Sequence, residues 1–579
     1  MIARVLPDLP AVERIFDYLV PDAVRDQVRV GTVVRIDLHG RRVRAWVVET
    51  ADDLTAGVAA DRLKALARVS SQGPPPEVVE LARWAAWRWA GRWVHLLRAA
   101  SPPGNVTTAV PPEPPDPAGR AVDASTVSVV RVPPTADRLP LVAGAVAAGP
   151  TIVVVPAVDL AARLARRLRK DGHRVALLAG DVRVDDYALA ATGQASVVGT
   201  RTAIWAPIPD TDLTSIVVLD EHDEAMQAEQ APTWHARDVA VERARRAGAA
   251  CTLVSPVPTL EALELGPLTV ARGERSGWPM IEVADRRDED PVRAGLFSPR
   301  LVQLLHQPGR VICVLNRLGR SRLLACTACG QVADCERCGG AVNQPDGERL
   351  RCGRCGTERP IVCAACGGGR FKNLRQGVAR ARVELEALAR EPVVEVTAKA
   401  GDPRDGRIAI GTEAVLHRLP AASASAVVFL DFDQELLAPR FRAGEQALGL
   451  LARAGRAVGD RRSGGRVLVQ TRHPEHAAIR AALLGDPGRL VDVERPRRQL
   501  LGFPPYGAIA LVSGAGAPEW ASAAGVSLST QRPAGIEVLE GDSGTWLVRA
   551  PGAPALAEFL AGIARPAARL RIEVDPPRV

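Results

Sequence analysis

Lysine is nearly missing from this 579-residue chain: only Lys64, Lys170, Lys372 and Lys399 stand among 74 basic residues. The rest are arginine, which suits bidentate phosphate contacts, and each surviving lysine asks for a reason. A net charge of +8 permits a polyanionic partner without requiring one. Nowhere does the sequence hold the ~18 uninterrupted apolar residues of a membrane-spanning helix, so no membrane partner is expected. The first thirty residues lack a basic start, an apolar run and a small-residue cleavage site, which argues against a secretory leader. The expected location is the reducing cytoplasm. Aromatic residues make up only 4%, yet four tryptophans, Trp84, Trp87, Trp89 and Trp93, crowd into one segment.

Cysteine is the exception to this sparseness. Eight of the ten cysteines form four Cys-x-x-Cys pairs: Cys326/Cys329, Cys335/Cys338, Cys352/Cys355 and Cys363/Cys366. A Cys-x-x-Cys turn offers two thiolates to one metal, and four thiolates satisfy tetrahedral zinc. Two Zn2+ sites follow. About forty residues carry too few apolar side chains for a core, so metal binding has to supply the folding energy; disulfides belong to oxidising compartments. Spacing alone leaves open which pairs combine. Cys251 and Cys313 sit in apolar runs and read as core residues.

Along the chain, Val5 to Arg68 reads as short strands and turns. Glu77 to Arg98 reads as one helix between prolines, with Trp89 and Trp93 on its core face and Trp84 and Trp87 roughly opposite, available for packing or base stacking. Residues 99–126, densest in proline from Pro111 to Pro117, read as a linker. Beyond it, apolar strands alternate with helical runs, the pattern of parallel sheets covered by helices. Strands are expected at Thr151–Val155, Arg174–Leu178, Ser196–Val198, Ile216–Leu219 and Cys251–Val254, and again at Arg310–Leu315, Arg407–Ile410, Ala426–Leu430 and Arg466–Gln470. Helices are expected at Val158–Lys170 and Ala236–Ala247. The fold class is therefore α/β multidomain: a β-rich N-terminal domain (1–98), the linker (99–126), a first lobe (127–290), a second lobe (291–472) with a double zinc module (324–368) inserted, and a C-terminal α+β domain (473–579).

This layout resembles the primosomal replication-restart family PriA, whose two lobes are RecA-like. The resemblance also rests on Phe16-Asp17-Tyr18, Val198-Gly199-Thr200-Arg201-Thr202-Ala203, Trp234-His235-Ala236-Arg237-Asp238, Asn316-Arg317-Leu318-Gly319 and Phe503-Pro504-Pro505-Tyr506. It implies that the N-terminal domain binds DNA 3′ ends, with Phe16, Asp17, Tyr18, Gly40 and Lys64 shaping a pocket for the terminal nucleotide. An aromatic ring there would stack on a base, a carboxylate accept from sugar or base, and a lysine neutralise phosphate. It implies zinc ligation by Cys326, Cys329, Cys363 and Cys366 in one site, and Cys335, Cys338, Cys352 and Cys355 in the other. Arg337, Arg351 and Arg354 among the ligands, and Arg370 just after them, are candidates for phosphate contact. The partners implied are forked or 3′-ended DNA, single-stranded DNA-binding protein, and primosome and replicative-helicase-loading components.

The family's motor motifs are a different matter. A phosphate loop needs Gly-x-x-x-x-Gly-Lys-Ser/Thr, but the corresponding stretch runs from Val132 to Arg138 without glycine or lysine and with two prolines. Leu219-Asp220-Glu221-His222-Asp223 stands where the magnesium motif belongs, with leucine at the metal-holding position on an ungapped alignment, or Asp220 there if one residue is deleted. Ser255-Pro256-Val257 replaces the coupling motif, Glu224 to Gln227 lacks aromatics, and the arginine-bearing motif is altered around Arg453 to Asp460. The expectation is a fork-binding restart protein with no catalytic residues and no ATP or Mg2+, in which replacing Asp220 and Glu221 by alanine leaves fork binding unchanged. The alternatives are a DNA-dependent ATPase or 3′–5′ helicase with an atypical nucleotide site, and a zinc-containing protein-interaction adaptor.

Overall fold

The computed structural model describes residues 1–10, 12–51, 63–106, 126–289, 295–316, 324–344, 349–373, 378–397, 400–531, 534–541 and 544–577. The proline-dense part of the expected linker, and Arg317-Leu318-Gly319 of one family motif, lie outside these residues.

The N-terminal domain is a five-stranded antiparallel sheet: β1 (Ile2–Pro7), β2 (Phe16–Leu19), β3 (Val33–Leu38), β4 (Arg41–Ala51) and β5 (Arg68–Ser71), in the order β2-β1-β4-β3-β5. A parallel bridge from Leu19 to Ala65 brings β2 back toward the segment leading into β5, so the sheet curls around a small core of Val5, Tyr18, Val34, Ile36 and Val47. Side chains alternate between faces. Leu6, Val33 and Trp46 therefore point the other way, into a larger core shared with the tryptophan segment.

That segment is two helices rather than the single one expected: α1 (Pro76–Arg88) and α2 (Trp93–Ala100). The break falls at Ala90, whose φ of 43° is left-handed and incompatible with a continuing helix. Trp89 is fully buried with Trp84 against its edge, and the Arg246 guanidinium lies 5.9 Å from the Trp84 ring centre. Trp84 thus packs against Trp89 and Arg246.

The first lobe is a seven-stranded, all-parallel sheet, and the second a six-stranded parallel one. The expected strands form within a residue or so, and the helices Val158–Lys170 and Ala236–Ala247 form over the expected spans. Cys251 and Cys313 are fully buried in strands.

Two boundaries differ from expectation. Met280–Asp285, on the first-lobe side of the 290/291 division, pairs in parallel with Arg466–Thr471 in the second sheet. The helices Ala477–Leu484 and Gly488–Leu501, assigned to the C-terminal domain, place Ala478, Ile479, Ala482 and Leu490 in the second lobe's core. Apolar surface buried against a neighbour outweighs proximity in sequence. What remains of the C-terminal domain is a four-stranded antiparallel sheet with two helices between 508 and 574. Its residues Ala510, Trp520 and Phe559 join the core shared by the first lobe and α1 and α2.

Candidate metal centre and nucleic-acid interface

The cysteine stretch folds as four copies of one turn. In each, the first cysteine's carbonyl accepts from a glycine N–H four residues on: Gly330 to Cys326 at 2.9 Å, Gly339 to Cys335 at 2.7 Å, Gly356 to Cys352 at 3.1 Å and Gly367 to Cys363 at 2.9 Å. All four glycines have φ between 66° and 76°, a region a Cβ disfavours. The repeat is therefore Cys-x-x-Cys-Gly, and the glycines are functional residues that the spacing argument passed over.

The turns assemble into two four-sulfur clusters, Cys326/Cys329/Cys363/Cys366 and Cys335/Cys338/Cys352/Cys355, with all sulfurs of a cluster within 4.8 Å of one another. Cross-pairs lie at 3.6 Å (Cys326 to Cys366, Cys329 to Cys363, Cys335 to Cys355) and 3.4 Å (Cys338 to Cys352). Sulfurs about 2.3 Å from a tetrahedral ion stand about 3.8 Å apart, whereas a disulfide needs about 2.05 Å. Each cluster can hold a metal ion, with the first pair joined to the fourth and the second to the third.

The clusters differ in setting. Cys329 and Cys366 are exposed, while Cys335, Cys338 and Cys352 are buried. The buried cluster is bolted to the second lobe by Arg354, whose guanidinium donates to the carbonyls of Cys338 (2.8 Å), Leu436 (3.2 Å) and Ala438 (3.0 Å). Arg354 is thus occupied with main chain and does not reach for phosphate. Arg351 stands 3.9 Å from Glu358; Arg337 and Arg370 are exposed.

In the N-terminal domain, Leu19 N–H donates to the Lys64 carbonyl and Leu66 N–H to the Leu19 carbonyl, both at 2.9 Å. Phe16-Asp17-Tyr18 and the exposed Lys64 are thereby neighbours. Phe16 is half-buried, with the Arg14 guanidinium 5.5 Å from its ring centre. Tyr18 is buried, and its hydroxyl donates to the Asp37 carbonyl at 2.9 Å. Its ring fills the core, which leaves Phe16 as the aromatic nearest the surface. Asp17 lies 3.7 Å from Arg4. Gly40 closes the β3–β4 hairpin at φ 77°.

At the cleft between lobes, the residues standing in place of the motor motifs are bonded to one another. Asp220, itself left-handed at φ 56°, accepts from Arg138 at 2.9 Å and from both terminal nitrogens of Arg456 at 3.0 Å. Arg138 ends the stretch that replaces the phosphate loop, and Arg456 belongs to the altered arginine motif on the second lobe's helix Ala443–Val458. One turn away on that helix, Arg453 bonds Asp223 and His417. Two aspartates three residues apart thus meet two arginines three residues apart on the opposite lobe. Burial opposes ionisation of Asp220, but Arg138 and Arg456 hold its carboxyl well below the usual range. Arg456 also donates to the Pro134 carbonyl at 3.2 Å, and a Cβ on Gly455 would stand 2.8 Å from Pro279 and 3.7 Å from Pro134. Glu221, fully buried, bonds Arg237 at 3.3 Å and Thr259. Asp220 and Glu221 are therefore not spare carboxylates, and replacing them removes half of a buried ion pair. His222, which burial depresses to about 4, shares a 2.8 Å hydrogen bond with Ser255.

A model of the 3′ DNA-binding domain (3′BD) of PriA matches residues 4–102. The probable replication restart protein PriA of Mycobacterium tuberculosis (strain CDC 1551 / Oshkosh) is 30% identical over 586 residues, covering 87% of this chain and 85% of its own length. This chain belongs to the PriA family. The Bacillus subtilis replication restart protein PriA is 26% identical over 399 residues, 62% of this chain and 49% of its own. Against it and the relatives from Synechocystis and Thermotoga maritima, the chain spans about half their length. Among solved structures, RecG bound to a three-way DNA junction aligns over 64% of this chain and 43% of its own at 12% identity, with a TM-score of 0.34, too remote to bear on function. No helix among the described residues is long and apolar enough to cross a membrane.

Proposed function

We propose that this PriA-family chain binds forked or 3′-ended DNA at abandoned or stalled replication forks and helps assemble the primosome there without unwinding DNA itself. One observation carries the reading: Arg138 and Arg456 close on Asp220 where a motor would hold nucleotide phosphates and magnesium. Phosphate would have to displace a carboxylate already neutralised by two guanidiniums, and the loop meant to cradle it offers two prolines that lack N–H donors. The lobes then serve as a scaffold. Phe16, Asp17, Tyr18, Gly40 and Lys64 form the end-recognition region, with Tyr18 supporting it from the core. Zinc is the ion best matched to both four-thiolate clusters, since it accepts tetrahedral sulfur ligation and no redox step is called for. The protein partners on this reading are single-stranded DNA-binding protein and helicase-loading components, met in the cytoplasm.

Binding to synthetic forks ending in a 3′ hydroxyl or a 3′ phosphate, with and without ATP, tests this. Preference for the hydroxyl, indifferent to ATP, is expected. Equal affinity for the two ends would remove end recognition, and ATP-dependent release of a labelled strand would remove the non-motor reading.

A further inference from the structure

Three arginines stand side by side across the N-terminal sheet. Arg35 on β3 is directly opposite Arg44 on β4 and directly opposite Arg68 on β5. Directly paired residues share a face, and this is the face turned away from the curled core, since Val34 and Ile36 flank Arg35 and point into that core; farther along the same face Val33 and Trp46 enter the larger core. Arg35 and Arg68 are exposed; Arg44 is half-buried, its guanidinium 5.2 Å from the ring centre of Trp46. Neighbouring strands lie about 4.8 Å apart, so three cations fall in a row about 10 Å long.

The row is not neutralised by any described carboxylate. Asp8, which lies near Arg44, is held by Arg98. Asp37, two residues along β3 on the same face, stands 3.8 Å from Arg42. Like charges directly opposite one another in a sheet are destabilising, and here two such pairs occur in succession. A row of three neighbouring cations on adjacent strands, with like charges directly opposed, is relieved by an anion from outside.

We propose that Arg44, Arg35 and Arg68 form a second DNA contact that grips the phosphate backbone of the strand entering the end-recognition region. It rests on the DNA-binding reading above and adds a site to it. Arg68 lies four residues beyond Lys64 on one segment, no more than about 14 Å along the chain. A strand whose terminal nucleotide sits at Lys64 brings its preceding phosphates over Arg68, then Arg35 and Arg44. Contacts of this kind carry no sequence preference; they fix register and add salt-dependent affinity.

The experiment is a salt titration of binding to a fork with a 3′ hydroxyl, read by fluorescence anisotropy. Compared are the wild type, the Arg35→Gln/Arg68→Gln double variant, the triple variant adding Arg44→Gln, and a control, Arg163→Gln/Arg166→Gln, which removes the same charge from an exposed helix face of the first lobe. Each phosphate neutralised contributes about 0.9 to the slope of log K against log salt. The slope is expected to become shallower by about 2 in the double variant and about 3 in the triple, with the control unchanged. Preference for a 3′ hydroxyl over a 3′ phosphate should persist, and Tm should hold or rise as the like-charge pairs are relieved. The double variant changes only exposed side chains, so it reports even where loss of Arg44 unsettles Trp46. A slope equal to the control's overturns the arginine row while leaving end recognition intact. A wild type that binds no DNA overturns both.

Discussion

Arg456 and Asp220 lie 236 positions apart, on opposite lobes, and meet through two hydrogen bonds of 3.0 Å each. Arg138 completes the arrangement from the first lobe, with burial pulling its guanidinium down to about 10. Removing one member of a buried pair strands the other's charge, at a cost of about 3 to 5 kcal/mol. Asp220→Asn keeps the shape and leaves two guanidiniums uncompensated. It should lower the urea midpoint and speed amide exchange around Pro134 and Gly455, and an unchanged midpoint would contradict the interlobe clamp.

Acid should loosen the same cleft. Burial depresses His222 to about 4 and His235 to about 3, against 6.5 for the free side chain. Folded values below unfolded ones mean that the unfolded chain binds more protons between these limits. Stability therefore rises with pH up to about 6.5 and is then flat in these two groups. Asp220, held low, adds stability that is present above about pH 4 and lost below it. Glu221 in the same cleft, pushed up to about 7 by burial, works in the opposite direction, so the test compares urea midpoints of wild type and His222→Gln: the difference in favour of wild type is expected to shrink from about pH 7.5 to about pH 5, and a difference that grows over that interval would refute the assignment.

Chelation should be biphasic. Cys329 and Cys366 are exposed, whereas three ligands of the other cluster are buried. One metal equivalent per chain should leave quickly and a second slowly, with Cys329→Ser removing only the fast phase. Arg354→Ala should speed the slow phase by detaching that cluster from the carbonyls of Leu436 and Ala438. A single phase, or less than two equivalents of zinc by elemental analysis, would contradict the two-site assignment.

Tyr18 and Lys64 should separate stability from binding. The Tyr18 hydroxyl is bonded inside the core, so Tyr18→Phe is expected to cost about 1 kcal/mol of stability. Lys64 is exposed, so Lys64→Ala should leave Tm alone and erase the preference for a 3′ hydroxyl.

Much of this protein is legible in its sequence, for identifiable reasons. Strands such as Thr151–Val154 and Ala426–Phe429 are buried on both faces, and their unbroken apolar runs announce them. Met280–Asp285 mixes polar with apolar residues, is only partly buried and sits at an edge, so its sheet could not be read locally. The break at Ala90 carries no proline, and the attachment of Ala477–Leu501 to the second lobe is written only in packing. At the sites, the four Cys-x-x-Cys pairs bring their own geometry, and the glycine after each was there to be read. The departures of Val132 to Arg138 and of Arg453 to Asp460 from the family's motor motifs could be read in sequence too, but no local pattern says that Arg453 and Arg456 cross a cleft to join Arg138 in closing on Asp220 and Asp223.

Steady-state ATP hydrolysis in the presence of forked DNA tests the central claim most directly, because a clamped cleft and a working motor cannot share these side chains. The account predicts no turnover above a protein-free control, at any salt concentration that still allows fork binding. DNA-stimulated hydrolysis at about 1 s⁻¹ or faster, the low end for ordinary enzymes, would contradict it.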